Sequence, residues 1–174
     1  MQAPAGSDGV VWVPALAGAM APEWNPRARA GWFGVTAAHC RAHLVRSLLE
    51  GNALALRDVL EAIAGAGHQP REIVCVAGGA NGDVNLSLRA NVTGLPVSRP
   101  DDVETTSRGA AMLAAAGAGW FGSVSEAAHA MASPRREPVW PDEELRAVYD
   151  ELHARHRRVY EALKPLWDAP EVPV

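Results

Sequence analysis

Residues 72–97 read EIVCVAGGANGDVNLSLRANVTGLPV, and this stretch decides the fold class. Residues 72–77 are almost continuously apolar, which predicts a strand buried on both faces. Two glycines follow at once, and residues 82–93 then repeat apolar side chains at helical spacing. The short apolar segment 95–97 predicts a second strand. A strand, a glycine turn, a helix and another strand in this order indicate an α/β fold.

The flanking sequence extends the same alternation of strands and helices. Apolar runs predict strands at 10–16 and 32–35, and four segments have helical periodicity: 37–64 with Thr36 as its cap, 107–116, 123–132 and 141–166. We therefore expect one domain at 10–167, preceded by a loose end at 1–9 and followed by a mobile Pro-rich tail at 168–174.

Bulk composition excludes several classes of function. The chain has 174 residues, a formal net charge of −4 and a pI near 5.8, which argue against nucleic acid as the main partner. No apolar run reaches the ~18 residues that a membrane span needs, and the first residues lack the basic start of a signal peptide. A cytoplasmic location is expected. The two cysteines, Cys40 and Cys75, are expected to be reduced and buried.

The strongest candidate site is the glycine pair Gly78-Gly79 after the buried strand. Without side chains, these residues let a flat or bulky ligand lie against the backbone. The helix that follows presents free N–H groups toward the same point, and such groups favour phosphate or another polar acceptor. Taken alone, a glycine pair after a strand is a tight turn more often than a ligand site.

Four segments, in order along residues 9–165, together resemble the FGGY family of carbohydrate kinases. They are a Pro- and Gly-rich loop, VPALAGAMAPEWNPRARAG; a strand and long helix, GWFGVTAAHCRAHLVRSLLEGNALALRDVLEAI; an adenosine motif, VCVAGGANGDVNLSLRANVTGLPV; and a Glu and Gly-Ala-Ala helix, ETTSRGAAMLAAAGAGWF. In the second segment the signature spacings fall on Gly34, Val35, His43, Leu44, Ser47, Leu48, Leu49 and Glu50.

The resemblance implies a fold and an activity. The family has two actin-like, ribonuclease-H-like domains and transfers the γ-phosphate of ATP to a sugar or polyol hydroxyl, with Mg²⁺ expected in the whole enzyme. It implies that Gly78 and Gly79 lie against the adenosine, that Ala80 and Asn81 continue that loop, and that Asp83 lies beside the nucleotide. Xylulose or a related ketose is the first substrate that it suggests, and glycerol is the second.

The chain departs from the family pattern at several positions. Many sugar-kinase relatives have Gly-Glu-Arg-Thr-Pro where this chain has GAMAP at 18–22, so two charges are lost. The Trp and Gln common in the adenosine helix are Asn85 and Ser87 here. Asp83 adds an acidic group, which is unfavourable close to phosphates without a metal between them.

The parts of the family that perform catalysis have no match in the chain. The resemblance assigns the catalytic aspartate and the first phosphate loop to the N-terminal half, and the second phosphate loop to the start of the C-terminal domain. We therefore expect an actin-like C-terminal domain that is incomplete at its N-terminus and holds no catalytic residue. Its partner would be an N-terminal kinase half, on the same or a separate polypeptide, or a second copy in a homodimer. The alternative is a non-catalytic interaction or regulatory module on the same scaffold.

The sequence has two histidine clusters, and we interpret both as structural features and not as functional sites. His39 and His43 lie one helical turn apart, but no further ligand follows at a familiar spacing, so no metal site is predicted. His153 and His156 lie among arginines on the last helix, and such a basic stretch is typical of a solvated face.

Overall fold

The computed structural model describes residues 2–168, and its main core lies where a short strand packs against two long helices. In chain order the elements are β1 (Val11–Val13), β2 (Gly31–Phe33), α1 (Arg41–Gly65), β3 (Ile73–Val74), α2 (Asp83–Thr93), β4 (Val97–Ser98), α3 (Thr105–Gly117), α4 (Val124–Met131) and α5 (Arg146–Asp168). Every helix and strand predicted from the sequence is present, with shifted ends. No helix within residues 2–168 has the length and apolar character that crossing a membrane would require.

The strands form two separate pairs. Strand β1 runs antiparallel to β2, with Trp12 opposite Trp32 and their rings 4.4 Å apart. Strand β3 runs parallel to β4, with Ile73 opposite Val97. Helix α2 connects this parallel pair, as the alternating pattern predicted. The strand–helix–strand unit therefore carries the glycine loop at the end of β3.

Helix α1 crosses directly over β1, and one glycine permits that approach. A side chain at Gly51 would put its Cβ 2.4 Å from the carbonyl oxygen of Trp12. Only a residue without Cβ allows this contact. The three residues of β1 are consequently buried between α1 and α5, and Leu54, Tyr149 and Leu152 complete this core.

The expectation of a loose end at residues 1–9 is wrong for its described part. Residues Ser7–Gly9 form a 3-10 turn, and Ser7 is fully buried. The Gly6 N–H and the Ser7 hydroxyl donate hydrogen bonds of 3.0 and 2.6 Å to the buried carboxylate of Glu50 on α1. The sequence gives no hint of this contact, because the partners lie more than forty residues apart. Of the expected tail, only Asp168 is described. It ends α5 and pairs with Arg27 at 2.5 Å, and residues 169–174 lie outside the described part.

The start of α1 also differs from the prediction. Thr36 does not cap the helix; its N–H donates to Nδ1 of His39 at 2.9 Å and closes a turn. The helix starts at Arg41, with Cys40 as its N-cap. A hydroxyl that bonds within its own turn competes with helix formation, which moves the start four residues along the chain.

Strand β3 is buried on one face only, so the prediction of two buried faces is wrong. Cys75 is 6% exposed, whereas Val74 and Val76 are 39% and 44% exposed. The N–H groups of Ile73 and Cys75 donate toward the β4 side, to Pro96 and Ser98 at 2.9 and 2.8 Å. Within residues 2–168, the opposite edge of β3 has no partner strand.

Candidate functional site

The candidate loop connects β3 to α2 as a compact turn. Residues Ala77–Ala80 form a 3-10 turn, and the N–H of Asn81 donates to the carbonyl of Gly78 at 3.3 Å. Ala77 has a φ of 58°, a conformation that is uncommon for a residue with a side chain. The N–H of Ala77 is anchored on the Val103 carbonyl at 2.9 Å, which fixes the turn against the segment after β4.

The two glycines of this loop face different surroundings. A Cβ at Gly78 would meet no atom within 4 Å, so its backbone borders open space. A Cβ at Gly79 would lie 3.1 Å from the guanidinium of Arg89. Gly78 is therefore the position where a ligand can lie against the backbone, and Gly79 instead makes room for a side chain of the protein.

Two side chains of α2 donate hydrogen bonds to the loop. Asn85 Nδ2 donates to the Gly79 carbonyl at 2.9 Å, and Arg89 Nη1 donates to the same oxygen at 3.3 Å and to Cys75 Sγ at 2.9 Å. Asn85 stands where relatives commonly have Trp, so this departure from the family pattern has a structural role in this chain. The sequence alone could not assign that role, because it depends on the turn geometry of residues 77–80.

Arg99, which sequence reasoning missed, holds the far side of the loop. Its Nη1 donates to the Ala80 carbonyl at 2.6 Å, and its Nη2 pairs with Asp83 Oδ1 at 2.6 Å. The Arg99 side chain is 15% exposed and that of Asp83 is 83% exposed. The carboxylate of Asp83 therefore has its own counter-ion, which reduces the repulsion of phosphate expected from the sequence.

Four of the five predicted residues thus lie in the loop and the fifth, Asp83, is the first residue of α2, and they differ in their surroundings. Gly78, Gly79, Asn81 and Asp83 are exposed, whereas Ala80 is fully buried and packs in a small core with Leu86, Ala90 and Val97. Asn81 and Arg99 border a polar cleft together with Arg136, which is paired with Asp101 at 2.9 Å.

The start of α2 completes the site. Its N-cap is Gly82, and no side chain caps the helix. The first N–H groups of an α-helix have no intrahelical acceptor, and together with the helix dipole they attract anions and other acceptors. The loop therefore combines an open backbone at Gly78 with hydrogen-bond donors one turn further along the chain.

Cys40, His43 and Asp8 form a linear chain of contacts at the start of α1. Cys40 Sγ lies 3.3 Å from Nδ1 of His43, and Nε2 of His43 lies 3.0 Å from Asp8 Oδ2. The N–H of Ala42 and the His43 ring lower the pKa of the Cys40 thiol, and the contact with Cys40 raises the pKa of His43. Cys40 is exposed, contrary to expectation, whereas Cys75 is buried, and both are free thiols.

Comparison with known proteins identifies the family. The model of the FGGY family of carbohydrate kinases, C-terminal domain, matches residues 1–118. The chain belongs to the FGGY family of carbohydrate kinases. A glycerol kinase of Aromatoleum aromaticum is 40% identical over 157 residues, which cover 89% of this chain and 31% of that protein. A xylulose kinase of Staphylococcus epidermidis is 29% identical over 161 residues, or 92% of this chain and 32% of that protein.

Solved structures give the same result for the fold. The xylulose kinase from Rhodospirillum rubrum superposes with a TM-score of 0.79 at 30% identity, over 97% of this chain and 33% of that one. This FGGY chain therefore has the actin-like ATPase fold that the resemblance implied, and it corresponds to the C-terminal part of such kinases. It spans about a third of the length of the relatives that it matches.

Proposed function

We propose that the chain is the ATP-binding C-terminal part of a carbohydrate kinase, and that it does not complete the reaction alone. The observation that carries this proposal is the loop at the end of β3. There the backbone of Gly78 borders open space and the uncapped start of α2 lies one turn away, in a chain that belongs to a family of ATP-dependent kinases.

The residues present fit a nucleotide. The adenosine part would lie against the backbone of Gly78, where a Cβ would meet no other atom of residues 2–168, whereas Gly79 faces the guanidinium of Arg89. Asn81 and the cleft beside Arg99 would face its polar edge. The bound nucleotide, with Mg²⁺, supplies the γ-phosphoryl group, and this chain contributes position and hydrogen-bond donors, which phosphoryl transfer depends on most.

The acceptor is proposed to be a hydroxyl of a sugar or polyol. A ketose such as xylulose is the first choice and glycerol is the second. Relatives of both names support this pair: the glycerol kinase and the xylulose kinase each align over most of the chain. The remaining two thirds of a whole kinase are expected to supply the aspartate base, both phosphate loops and most contacts with the sugar.

Nucleotide binding by a Gly78→Val variant tests the proposal. A Cβ at Gly78 meets no atom of residues 2–168 within 4 Å, so the new side chain enters the space that a ligand would use. Titration calorimetry with ADP should show weak, saturable binding by the unmodified chain and at least ~10-fold weaker binding by the variant, which corresponds to about 1.4 kcal/mol. Gly79→Val is less diagnostic, because it displaces Arg89.

Gly31→Val serves as the matched control. Gly31 lies in β2, a Cβ there also meets nothing within 4 Å, and valine suits a strand. Equal ADP affinity in all three proteins would place the nucleotide elsewhere. In a coupled ADP-release assay with xylulose and glycerol, the chain alone is expected to show no turnover, and clear turnover would contradict the assignment of catalysis to the remaining part.

A further inference from the structure

A second pocket lies between β1, the loop after β1, and the helices α1 and α5. It shares no residue with the candidate loop. Its walls are largely apolar and include Val13, Ala15, Ala19, Pro22 and Ala55. Concave, mainly apolar sites with a few convergent polar groups are where small molecules bind. None of the residues assigned to the nucleotide lines this pocket.

The polar groups of the pocket include two that have no partner. His156 is 3% exposed, and neither of its ring nitrogens has a hydrogen bond within the described part of the chain. Tyr160, one helical turn further along α5, is 9% exposed, and its buried hydroxyl has no hydrogen-bond partner among residues 2–168. Buried polar atoms are nearly always hydrogen-bonded, so three such atoms at one pocket indicate a bound molecule that satisfies them.

The third polar group is the carboxylate of Asp58 on α1, whose two oxygens have different surroundings within residues 2–168. Oδ1 accepts from His153 Nε2 at 2.8 Å and from Arg157 Nη1 at 3.4 Å. Oδ2 lies 3.8 Å from Nδ1 of His156, which is too far for a direct hydrogen bond. His153 and His156 are therefore buried against α1 and do not form the solvated face that the sequence suggested.

The charges around the pocket limit the class of ligand. Burial lowers the pKa of His156 and so favours the neutral ring, which offers one donor and one acceptor. Asp58, Glu23 and Glu161 line the pocket and disfavour an anion. A cation is disfavoured because the carboxylates of the pocket already have counter-ions. Arg157 lies 3.4 Å from Asp58, and Lys164 pairs with Glu23 at 2.9 Å and with Glu161 at 2.7 Å.

We propose that this pocket is a second ligand site, which binds a small uncharged hydroxylated molecule of polyol or sugar size. One hydroxyl donates to Asp58 Oδ2 and accepts from the His156 ring, and a second hydroxyl bonds Tyr160. The carbon chain of the ligand lies on the apolar wall beside Ala55. The site stands independently of the proposed nucleotide site, because the two share no residue.

Nuclear magnetic resonance of the chain with ¹⁵N-labelled histidine tests the proposal, with glycerol and xylitol as probes. We expect saturable shifts of the His156 ring nitrogens with at least one of these polyols. Ala55→Leu fills the pocket without removing a polar group and should weaken binding at least tenfold. Ala62→Leu is the matched control, because Ala62 lies on the same helix, is exposed and does not line the pocket. It should stay within twofold of the unmodified chain.

Two further measurements separate the alternatives. Tyr160→Phe removes only the unpartnered hydroxyl and leaves the His156 ring as the reporter. It should also weaken binding, and it carries the test if circular dichroism shows that Ala55→Leu does not fold. Shifts that grow linearly with polyol concentration, or an unaltered affinity in both pocket variants, would overturn the proposal. So would saturable shifts of His156 with Zn²⁺ or inorganic phosphate but with neither polyol.

Discussion

Replacing Glu50 by Gln should destabilise the domain far more than an exposed Glu→Gln change on the same helix. The Glu50 side chain is 1% exposed and accepts from Gly6 N, Ser7 Oγ, Arg46 Nε and Tyr149 OH, at 3.0, 2.6, 2.7 and 3.2 Å. It therefore connects α1 to the N-terminal segment and to α5 at one point.

The magnitude follows from burial of the whole cluster. Arg46 is 12% exposed and also donates to the Ala3 carbonyl and the Tyr149 hydroxyl. Burial opposes its charge, but the bonds to Glu50 and Tyr149 outweigh this and raise the pKa of Arg46. Burial and the Glu50 carboxylate raise the pKa of Tyr149 to about 12. Removing one member of a buried ion pair costs about 3–5 kcal/mol. At about 2–4 °C per kcal/mol for a domain of this size, the Tm should fall by about 6–20 °C.

Thermal unfolding followed by circular dichroism measures this effect, with Glu61→Gln as the matched control. Glu61 pairs with Arg57 at 3.0 Å but is 46% exposed, and Arg57 keeps a second partner in Asp150 at 2.7 Å. Exposed pairs contribute about 0–1 kcal/mol, so the control should lose less than about 4 °C. Equal losses in the two variants would refute the structural role of Glu50.

Two further predictions concern the surface. Cys40 should be alkylated by iodoacetamide faster than the buried Cys75, as measured by mass spectrometry. The alkylation rate of Cys40 should rise with pH to a midpoint below that of an ordinary thiol, because the Ala42 N–H and the His43 ring lower its pKa. A midpoint that is unchanged in a His43→Gln variant would contradict the contribution of that ring. Within residues 2–168 one edge of β3 is unpaired, and Val74 and the nearby Val76 are exposed beside it. Light scattering should therefore show a dimer or larger assembly, and Val74→Lys with Val76→Lys should shift it toward monomer. A monomer at every concentration of the unmodified chain would mean that this edge needs no partner.

Local sequence pattern was sufficient to predict the α/β order and the position of the loop. Residues 72–97 carry a strand, a turn and a helix whose signals are each contained within a few neighbours, and the structure has all of them. The C-terminal end of α2 is also set by a local signal. Gly94 has a φ of 71°, and its N–H donates to the Ala90 carbonyl and ends the helix. Such local features are fixed by backbone sterics, which one sequence displays directly.

Features that join distant segments could not be predicted in the same way. Glu50 appeared only as a residue at a signature spacing, because its donors lie at the start of the chain and on α5. His156 was placed in a basic stretch, although its helix turns it inward against α1. Arg99 gave no signal at all, since its two bonds to the loop depend on where β4 ends. In each case the position of the side chain is set by a segment that is distant in the sequence, which a local pattern does not display.

The hydrogen bonds of the loop also indicate which ligands it can accept. The carbonyl of Gly78 accepts from the Asn81 N–H, that of Gly79 from Asn85 and Arg89, and that of Ala80 from Arg99. Three consecutive acceptors are thus satisfied from within the chain, while the first donors of α2 have no side-chain cap. A ligand at Gly78 therefore meets a surface that offers donors and few acceptors. Ligands rich in acceptor atoms, as nucleotides are, match such a surface. The same internal hydrogen bonds fix the turn in the absence of a ligand, so little conformational entropy is lost on binding.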